Sequence, residues 1–275
     1  LITVSILGTD HQYTGIGIYN LAGIYEDQGL YEKAIDSSLK SLSIMEKNFG
    51  KEDLKLVKHL SQLAGLYQDK GLYEEAIIYL EKGIELEKKF LGETHPDLGD
   101  SYNWIGELYL QKYDYEKAKI YLLNGLKIRK LYQEKSPLNL SESYEAIGGL
   151  YALKSDYLKA EKYYLDSLNI KEKIYKENKI KLYDTYLDLG IFYKEKGDFN
   201  KAEKYFLKTL EISKDNSYEY KDIDIHYTYL WLGDLYKLSG DSKKAEYYYL
   251  LSLKNIDSIK NEADKETIKF EIFYT

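Results

Sequence analysis

Apolar and polar positions alternate along this chain with the period of an α-helix. Tyr102, Ile105 and Tyr109 are three and four residues apart, which places them on one face of a helix. After a short polar gap a second apolar stripe follows, made of Tyr115, Ala118, Leu122, Leu126 and Ile128. The pattern predicts two helices, each with one buried face, joined by a short turn.

This two-helix pattern recurs along the chain. In each copy a Tyr precedes an Ala by nine residues, and successive Ala positions are spaced 42, 42, 42, 42 and 43 residues apart. A period of this length predicts stacked supersecondary units. The predicted fold class is therefore all-α, a right-handed superhelical solenoid of antiparallel helix pairs that forms a single array over residues 1–275. The six full repeats are centred on Ala34, Ala76, Ala118, Ala160, Ala202 and Ala245.

The turn between the two helices of a repeat has its own signature. Four of the turns are expected to use a glycine in the left-handed region, at Gly29, Gly71, Gly197 and Gly240. Tyr113 and Ser155 occupy the same position in the third and fourth repeats. Those two turns must either accept backbone strain or close in another way.

A small residue marks the first helix of every repeat. Gly inside a helix is less favourable than Ala by about 1 kcal/mol, so its recurrence predicts a close approach between the two helices of a pair. We expect the repeat Ala to form the opposite side of that contact. The small residues are Ala22, Ala64, Gly106, Gly148, Gly190 and Gly233.

Both ends of the chain fall inside a repeat. Residues 1–8 are expected to be the tail of a preceding repeat, and residues 261–275 to begin a further one. Because an open repeat end exposes an apolar helix face, self-association or pairing with another chain is expected there.

The order of a small residue, a Tyr and an Ala nine residues later resembles the tetratricopeptide repeat (TPR). The period is longer than the usual one of about 34 residues. Leu91-Gly92 and His95-Pro96-Asp97 resemble the kinesin-light-chain type of this repeat, which is also found in bacterial arrays. The resemblance implies a scaffold for protein–protein interaction that binds a peptide or protein segment in a concave groove. It leaves open an alternative, a sensory or regulatory array of a larger effector with a caspase-like protease, kinase or NTPase domain.

Composition and charge limit the classes of partner and the kinds of chemical site that the chain can have. The net charge of −7 provides no basic surface for nucleic acid or acidic membranes, and the chain has no Cys for disulfides, thiolate catalysis or metal sites. No apolar run approaches the roughly 20 residues that span a bilayer. A cytoplasmic protein is expected. The four His residues form no metal-type cluster and are expected to have a structural or solvent role, and His11 and His95 are equivalent loop residues. We therefore predict no enzyme, no catalytic residue, no metal and no cofactor.

The resemblance also implies where a partner binds, because the first helices of TPR proteins line the groove. Carried over by register from the small residue, the groove positions include many carboxylates, which suggests a ligand with basic or amide groups. Trp104 and Trp231 are either ligand anchors or packing residues between repeats. The predicted partner-binding residues are Asp100, Asn103, Trp104, Glu107, Gln111, Glu142, Glu145, Asp188, Tyr227, Trp231 and Asp234.

Overall fold

The computed structural model describes residues 8–214 and 221–256, with only the backbone for 221–224. These residues form α-helices arranged in pairs and contain no strand. The first three pairs are α1 (Gln12–Asp27) with α2 (Tyr31–Phe49), α3 (Val57–Asp69) with α4 (Tyr73–Leu91), and α5 (Pro96–Gln111) with α6 (Tyr115–Leu131). The others are α7 (Pro137–Leu153) with α8 (Tyr157–Ile174), α9 (Tyr183–Lys196) with α10 (Phe199–Ser213), and α11 (Lys221–Ser239) with α12 (Ser242–Ile256). Short 3-10 segments, Leu54–Leu56 and Lys179–Leu182, precede α3 and α9. The all-α fold of paired helices is confirmed.

The chain divides into two compact units, residues 1–163 and 164–275. The division falls within α8, so the first unit holds α1 to α7 and the second holds α9 to α12. A single array over the whole chain, and its handedness, stay predictions.

Each pair is held by the apolar stripes that the sequence shows. In the first unit Ala34, Leu63 and Leu66 are fully buried, and in the second unit Leu189 and Phe206 are buried in the same way. Complete burial of a Leu or Phe side chain contributes about 1.5–3 kcal/mol. The core therefore runs along the contact between helices rather than collecting at one centre.

The turns lie where the sequence places them, and the repeat Tyr takes part in closing them. The backbone N–H of Asp114 donates to the carbonyl oxygen of Tyr109 at 2.9 Å, and Asp156 donates to Tyr151 at the same distance. This bond is the outer hydrogen bond of a Schellman motif, which requires a left-handed residue one position before the donor. Tyr113 and Ser155 adopt that conformation with φ of 60° and 57°. The two turns therefore accept the strain, at about 1–2 kcal/mol each.

The close approach of the paired helices is confirmed, but the residue facing the glycine is not the predicted one. A Cβ at Gly106 would lie 2.7 Å from Leu122 Cδ2, and one at Gly190 would overlap the ring of Phe206. Leu122 and Phe206 are each four residues beyond the repeat Ala, one helical turn further along. The expectation that the Ala itself opposes the glycine is wrong, because that Ala fills a neighbouring, fully buried position.

A second small-residue position lies in the second helix of each pair, and the pattern analysis did not single it out. A Cβ at Gly125 would lie 3.0 Å from the carbonyl oxygen of Gly99, so the two backbones nearly touch. The signal was available in the sequence, since this position is small in every repeat at the same 42-residue period. Its buried occupants are Ser41, Gly83, Gly125, Ser167, Thr209 and Ser252.

The two predicted partial repeats lie outside the described residues, apart from Gly8. Self-association through open repeat ends therefore stays a prediction.

Candidate ligand groove

Arg129, the single arginine of the chain, organises the predicted groove residues of the first unit. Its side chain is 7% exposed. Nε and Nη2 donate to Asp100 Oδ1 at 3.0 and 2.8 Å. Nη1 donates to the carbonyl oxygen of Asn139 at 2.7 Å and to Ser143 Oγ at 3.1 Å. The planar guanidinium thus joins α5 and α6 to the following helix α7, a geometry that a lysine cannot reproduce.

Asn103 belongs to the same network. Its Oδ1 accepts from Ser143 Oγ at 3.1 Å, and its Nδ2 donates to Glu107 Oε1 at 2.6 Å. The residue is buried, and one of its two N–H donors and one of its two acceptor lone pairs are used inside the protein. Asn103 therefore positions α5 against α7, and because it is buried it offers little to a ligand.

The carboxylates around this network face solvent. The side chains of Asp100 and Glu142 are 49% and 56% exposed, and Glu142 Oε2 lies 3.6 Å from Arg129 Nη2. Loss of hydration among its neighbours raises the pKa of Glu107; the carboxylate of Glu142 acts in the same direction, and Arg129 and Asn103 act against it. Gln111 is exposed and Glu145 half-buried on the same two helices. The buried guanidinium of Arg129 thus lies close to several carboxylates that face solvent.

Trp104 extends from α5 to the preceding first helix, α3. Its Nε1 donates to Gln68 Oε1 at 2.5 Å. Two ring carbons lie 3.9 Å from where a Cβ at Gly65 would be. The ring is half-buried. These contacts favour the packing role that the sequence left open, because the indole N–H already has a partner.

In the second unit, Trp231 lies at the centre of a mixed aromatic and charged cluster. Its ring stacks on Phe206 with centroids 6.2 Å apart and an interplanar angle of 13°. Lys194 Nζ lies 4.1 Å from the ring centroid, within the range of a cation–π contact. Burial lowers the pKa of Lys194, while the carboxylates of Asp234 and Glu195 act in the opposite direction.

Asp234, three residues after Trp231 on the same helix, belongs to this cluster. It accepts a hydrogen bond from the Tyr249 hydroxyl at 2.7 Å. Burial is the first cause that raises the pKa of Tyr249 to about 12, and the bond and charge of Asp234 add to it. Of the other predicted residues in this unit, Asp188 is exposed on α9 and Tyr227 is half-buried on α11. The structure therefore brings Trp231 and Asp234 together, as expected for neighbours on one helix face.

The histidines have structural positions. His11 and His95 each precede a first helix and accept from the backbone N–H two residues on, at 3.2 and 3.3 Å. Of the structural or solvent role expected for the histidines, the structure shows the structural one for this pair, since both act as N-caps. Within the described ranges, no group of His, Asp and Glu side chains is arranged to hold a metal ion. No helix of the described parts is long and apolar enough to cross a membrane.

Helix pairs of fixed period, closed by the same turn and packed through the same small residues, define a helical-repeat protein. The family model Tetratricopeptide repeat matches residues 13–86, 55–131, 139–215 and 184–258. The chain belongs to the tetratricopeptide repeat family, whose fold is in general a non-catalytic scaffold for protein interaction.

Solved structures with the same fold include repeats of the kinesin-light-chain type. BtubC (BKLC) from P. vanneervenii is 22% identical with a TM-score of 0.68, over 83% of this chain and 91% of that one. A Podosopora anserina protein, described as kinesin light chain with nearly identical TPR-like repeats, is 19% identical with a TM-score of 0.62, over 74% and 96%. A Rap protein complexed with Competence and Sporulation Factor is 15% identical with a TM-score of 0.61, over 90% and 75%. No curated protein matches the chain.

Proposed function

We propose that this protein is an interaction scaffold whose first-helix face in the first unit binds a peptide or protein segment rich in basic or amide side chains. The observation that carries the proposal is the set of exposed carboxylates, Asp100, Glu107 and Glu142, arranged around the buried Arg129. The similarity in fold to a Rap protein complexed with a factor supports ligand binding by such an array.

Preorganisation favours this face as a binding surface. Arg129 holds Asp100 through two hydrogen bonds and fixes α7 through Asn139 and Ser143, so its carboxylate partners lose little freedom when a ligand binds. Loss of hydration is the main cause of the raised pKa of Glu107, and repulsion by the carboxylate of Glu142 adds to it. A ligand guanidinium or ammonium placed between them would relieve that repulsion. Because these charges are exposed, the affinity should fall as salt is added.

The test begins with an array of peptides of varied sequence displayed to the intact chain. We expect the recovered peptides to be enriched in Lys, Arg, Asn and Gln. Calorimetry on the best peptide should show about tenfold weaker binding for the double variant Glu107→Gln/Glu142→Gln, which is roughly 1.4 kcal/mol. Glu75→Gln is the matched control, since Glu75 is exposed on the second helix α4.

Two results would contradict the proposal. One is an acidic consensus among the recovered peptides, and the other is an affinity that the double variant leaves unchanged. Thermal midpoints of all variants show whether a loss of binding reflects loss of folding.

The alternative function, a regulatory array attached to an effector domain, stays a prediction, and so does the cytoplasmic location. The sequence flanking this chain in its gene would decide the first, and fractionation of the cell would decide the second.

A further inference from the structure

A cavity of about 520 Å³ opens in the first unit where the starts of three first helices meet the ends of two second helices. Its volume lies within the range of small-molecule sites, about 300–1,000 Å³. Most of the wall is apolar. That part is formed by Ile16, Met45, Phe49, Leu54, Val57 and Leu91.

Glu87 lies in the wall of this cavity with an incomplete set of hydrogen bonds. It is 4% exposed. Its Oε1 accepts from Ser101 Oγ at 3.1 Å, whereas its Oε2 is buried without a hydrogen-bond partner. A buried carboxylate oxygen without a donor has lost its hydration and gained nothing in return. Glu87 lines the cavity, so a donor that enters the cavity and reaches Oε2 would supply the missing bond.

The next repeat shows one way in which this position is satisfied. Arg129 is the equivalent of Glu87 one repeat later, and it pairs with Asp100, which lies 29 residues earlier. The residue 29 positions before Glu87 is Lys58. The second repeat thus has the same complementary pair with its charges reversed.

In the structure this second pair is open. Lys58 and Glu87 both line the cavity, and no ion pair joins them among the described residues. The ammonium of Lys58 lies instead 5.5 Å from the ring centroid of Tyr19. The other cation in the wall, Lys55, is placed over the Phe49 ring at 3.7 Å from its centroid. Lys58 is therefore the cation available to a ligand, and Glu87 the buried acceptor.

We propose that the cavity binds a small zwitterion with an apolar body, either a free α-amino acid with an apolar side chain or a dipeptide of such residues. The ligand ammonium donates to Glu87, the ligand carboxylate meets Lys58, and the side chains pack against the apolar wall. The ligand in this way completes the charge pair that Asp100 and Arg129 make directly. The site is separate from the carboxylate face of α5 and α7 and does not depend on a peptide binding there.

The experiment is calorimetry of the full chain with leucine, leucyl-leucine and N-acetyl-leucinamide. We expect saturable binding of one or both zwitterions, and at least tenfold weaker binding of the capped compound, which keeps the apolar body but has no charge. Whichever of leucine and leucyl-leucine binds more tightly shows whether the site takes a free amino acid or a dipeptide. Equal binding of the capped compound, or no saturable binding of either zwitterion, overturns the proposal.

Variants test the two charged contacts separately. Glu87→Gln keeps the shape of the side chain and should lower the affinity for the zwitterion at least fivefold. Lys58→Met should lower it by a similar factor. Lys40→Met is the matched control, because Lys40 is an exposed lysine of α2 outside the cavity wall. An affinity unchanged by both Glu87→Gln and Lys58→Met, with thermal midpoints intact, would also overturn the assignment.

Discussion

The rings of Tyr193 and Tyr205 stack with centroids 5.5 Å apart and an angle of 3° between their planes. Tyr193 is the repeat Tyr that precedes Ala202 by nine residues, and its carbonyl oxygen accepts the turn-closing bond from Asp198 at 2.9 Å. One residue therefore serves both the turn and the pairing of its two helices, which explains the strict spacing. The equivalent stacked pairs are Tyr67 with Tyr79, Tyr109 with Tyr121, Tyr151 with Tyr163 and Tyr236 with Tyr248.

The first prediction concerns this stacked pair. A double-mutant cycle with Tyr193→Leu and Tyr205→Leu should give a coupling energy of about 0.5–1.5 kcal/mol, beyond the loss of buried area in each single variant. Urea unfolding of the four proteins measures it. Additive effects of the two substitutions would show that the rings are neighbours without a specific interaction.

The strained turns give a prediction of increased stability. Tyr113→Gly and Ser155→Gly should each raise the free energy of unfolding by about 1 kcal/mol, because Gly adopts positive φ without the steric penalty of a Cβ. Tyr113 is 75% exposed, so little packing is lost. Thermal unfolding monitored by circular dichroism is the measurement.

Gly71→Ala is the matched control for those turns. Gly71 has φ of 72°, and nothing lies within 4 Å of a Cβ placed there. The substitution should lower stability through backbone strain alone. If Gly71→Ala raised stability, or the two glycine variants lowered it, strain would not be the determining factor in this turn.

The contact between paired helices predicts an intolerance to a single methyl group. Gly190→Ala should destabilise the protein by about 1–3 kcal/mol through overpacking, since the Phe206 ring opposite is fully buried and cannot move aside. In contrast, a Cβ at Gly23 would have Gln62 Nε2 as its nearest neighbour, at 4.0 Å. Gly23→Ala should therefore raise the free energy of unfolding by up to about 1 kcal/mol through helix propensity. Chemical denaturation of both variants gives the comparison, and similar effects of the two would contradict it.

The sequence was sufficient to place the features that repeat, but it did not assign every contact among them, and it was insufficient for features that occur once. The positions of Gly106 and Tyr109 recur, so the close helix approach and the turn follow from period and helix geometry, whereas the residue facing Gly106 is Leu122 and not Ala118. Arg129 is unique in the chain, and its partners on α7 come together only through the packing of successive pairs. Asn103 was expected to face a ligand on register alone, whereas the structure shows its amide bonded to Glu107. Register predicts the face on which a side chain lies, but not which neighbour has already taken its hydrogen bonds.

His59 makes stability depend on pH. The side chain is fully buried, and its Nδ1 lies 3.0 Å from Ser41 Oγ, which itself donates to the carbonyl oxygen of Gly15 at 2.7 Å. Ser41 has one hydroxyl proton, so His59 Nδ1 must be the donor to it. Burial, reinforced by the charge of Lys58, lowers the pKa of His59 to about 4.

This depressed pKa means that the unfolded chain binds a proton that the folded protein excludes. Stability should therefore fall as the pH drops from about 6.5 to about 4, by as much as about 3 kcal/mol from this group. In His59→Asn the amide nitrogen replaces Nδ1 as donor to Ser41, and that part of the pH dependence should disappear. Urea unfolding of both proteins between pH 7 and pH 4 tests this, and parallel curves would contradict it.

Trp104 provides the last prediction, which separates packing from ligand binding. Because the ring lies against Gly65 and the indole N–H donates to Gln68, Trp104→Ala should lower the free energy of unfolding by about 2 kcal/mol, less than a full core truncation since the ring is half-buried. Trp104→Phe keeps an aromatic ring but loses the indole N–H and part of the ring that lies against Gly65, so it should cost about 1 kcal/mol, less than Trp104→Ala. Unfolding and the affinity for a peptide recovered from the array are measured on the same two variants. Suppose that Trp104→Ala weakened peptide binding by about 2 kcal/mol while the free energy of unfolding stayed unchanged. The indole would then be a ligand anchor of the kind that dominates interfaces, and the packing role inferred from its contact with Gln68 would be wrong.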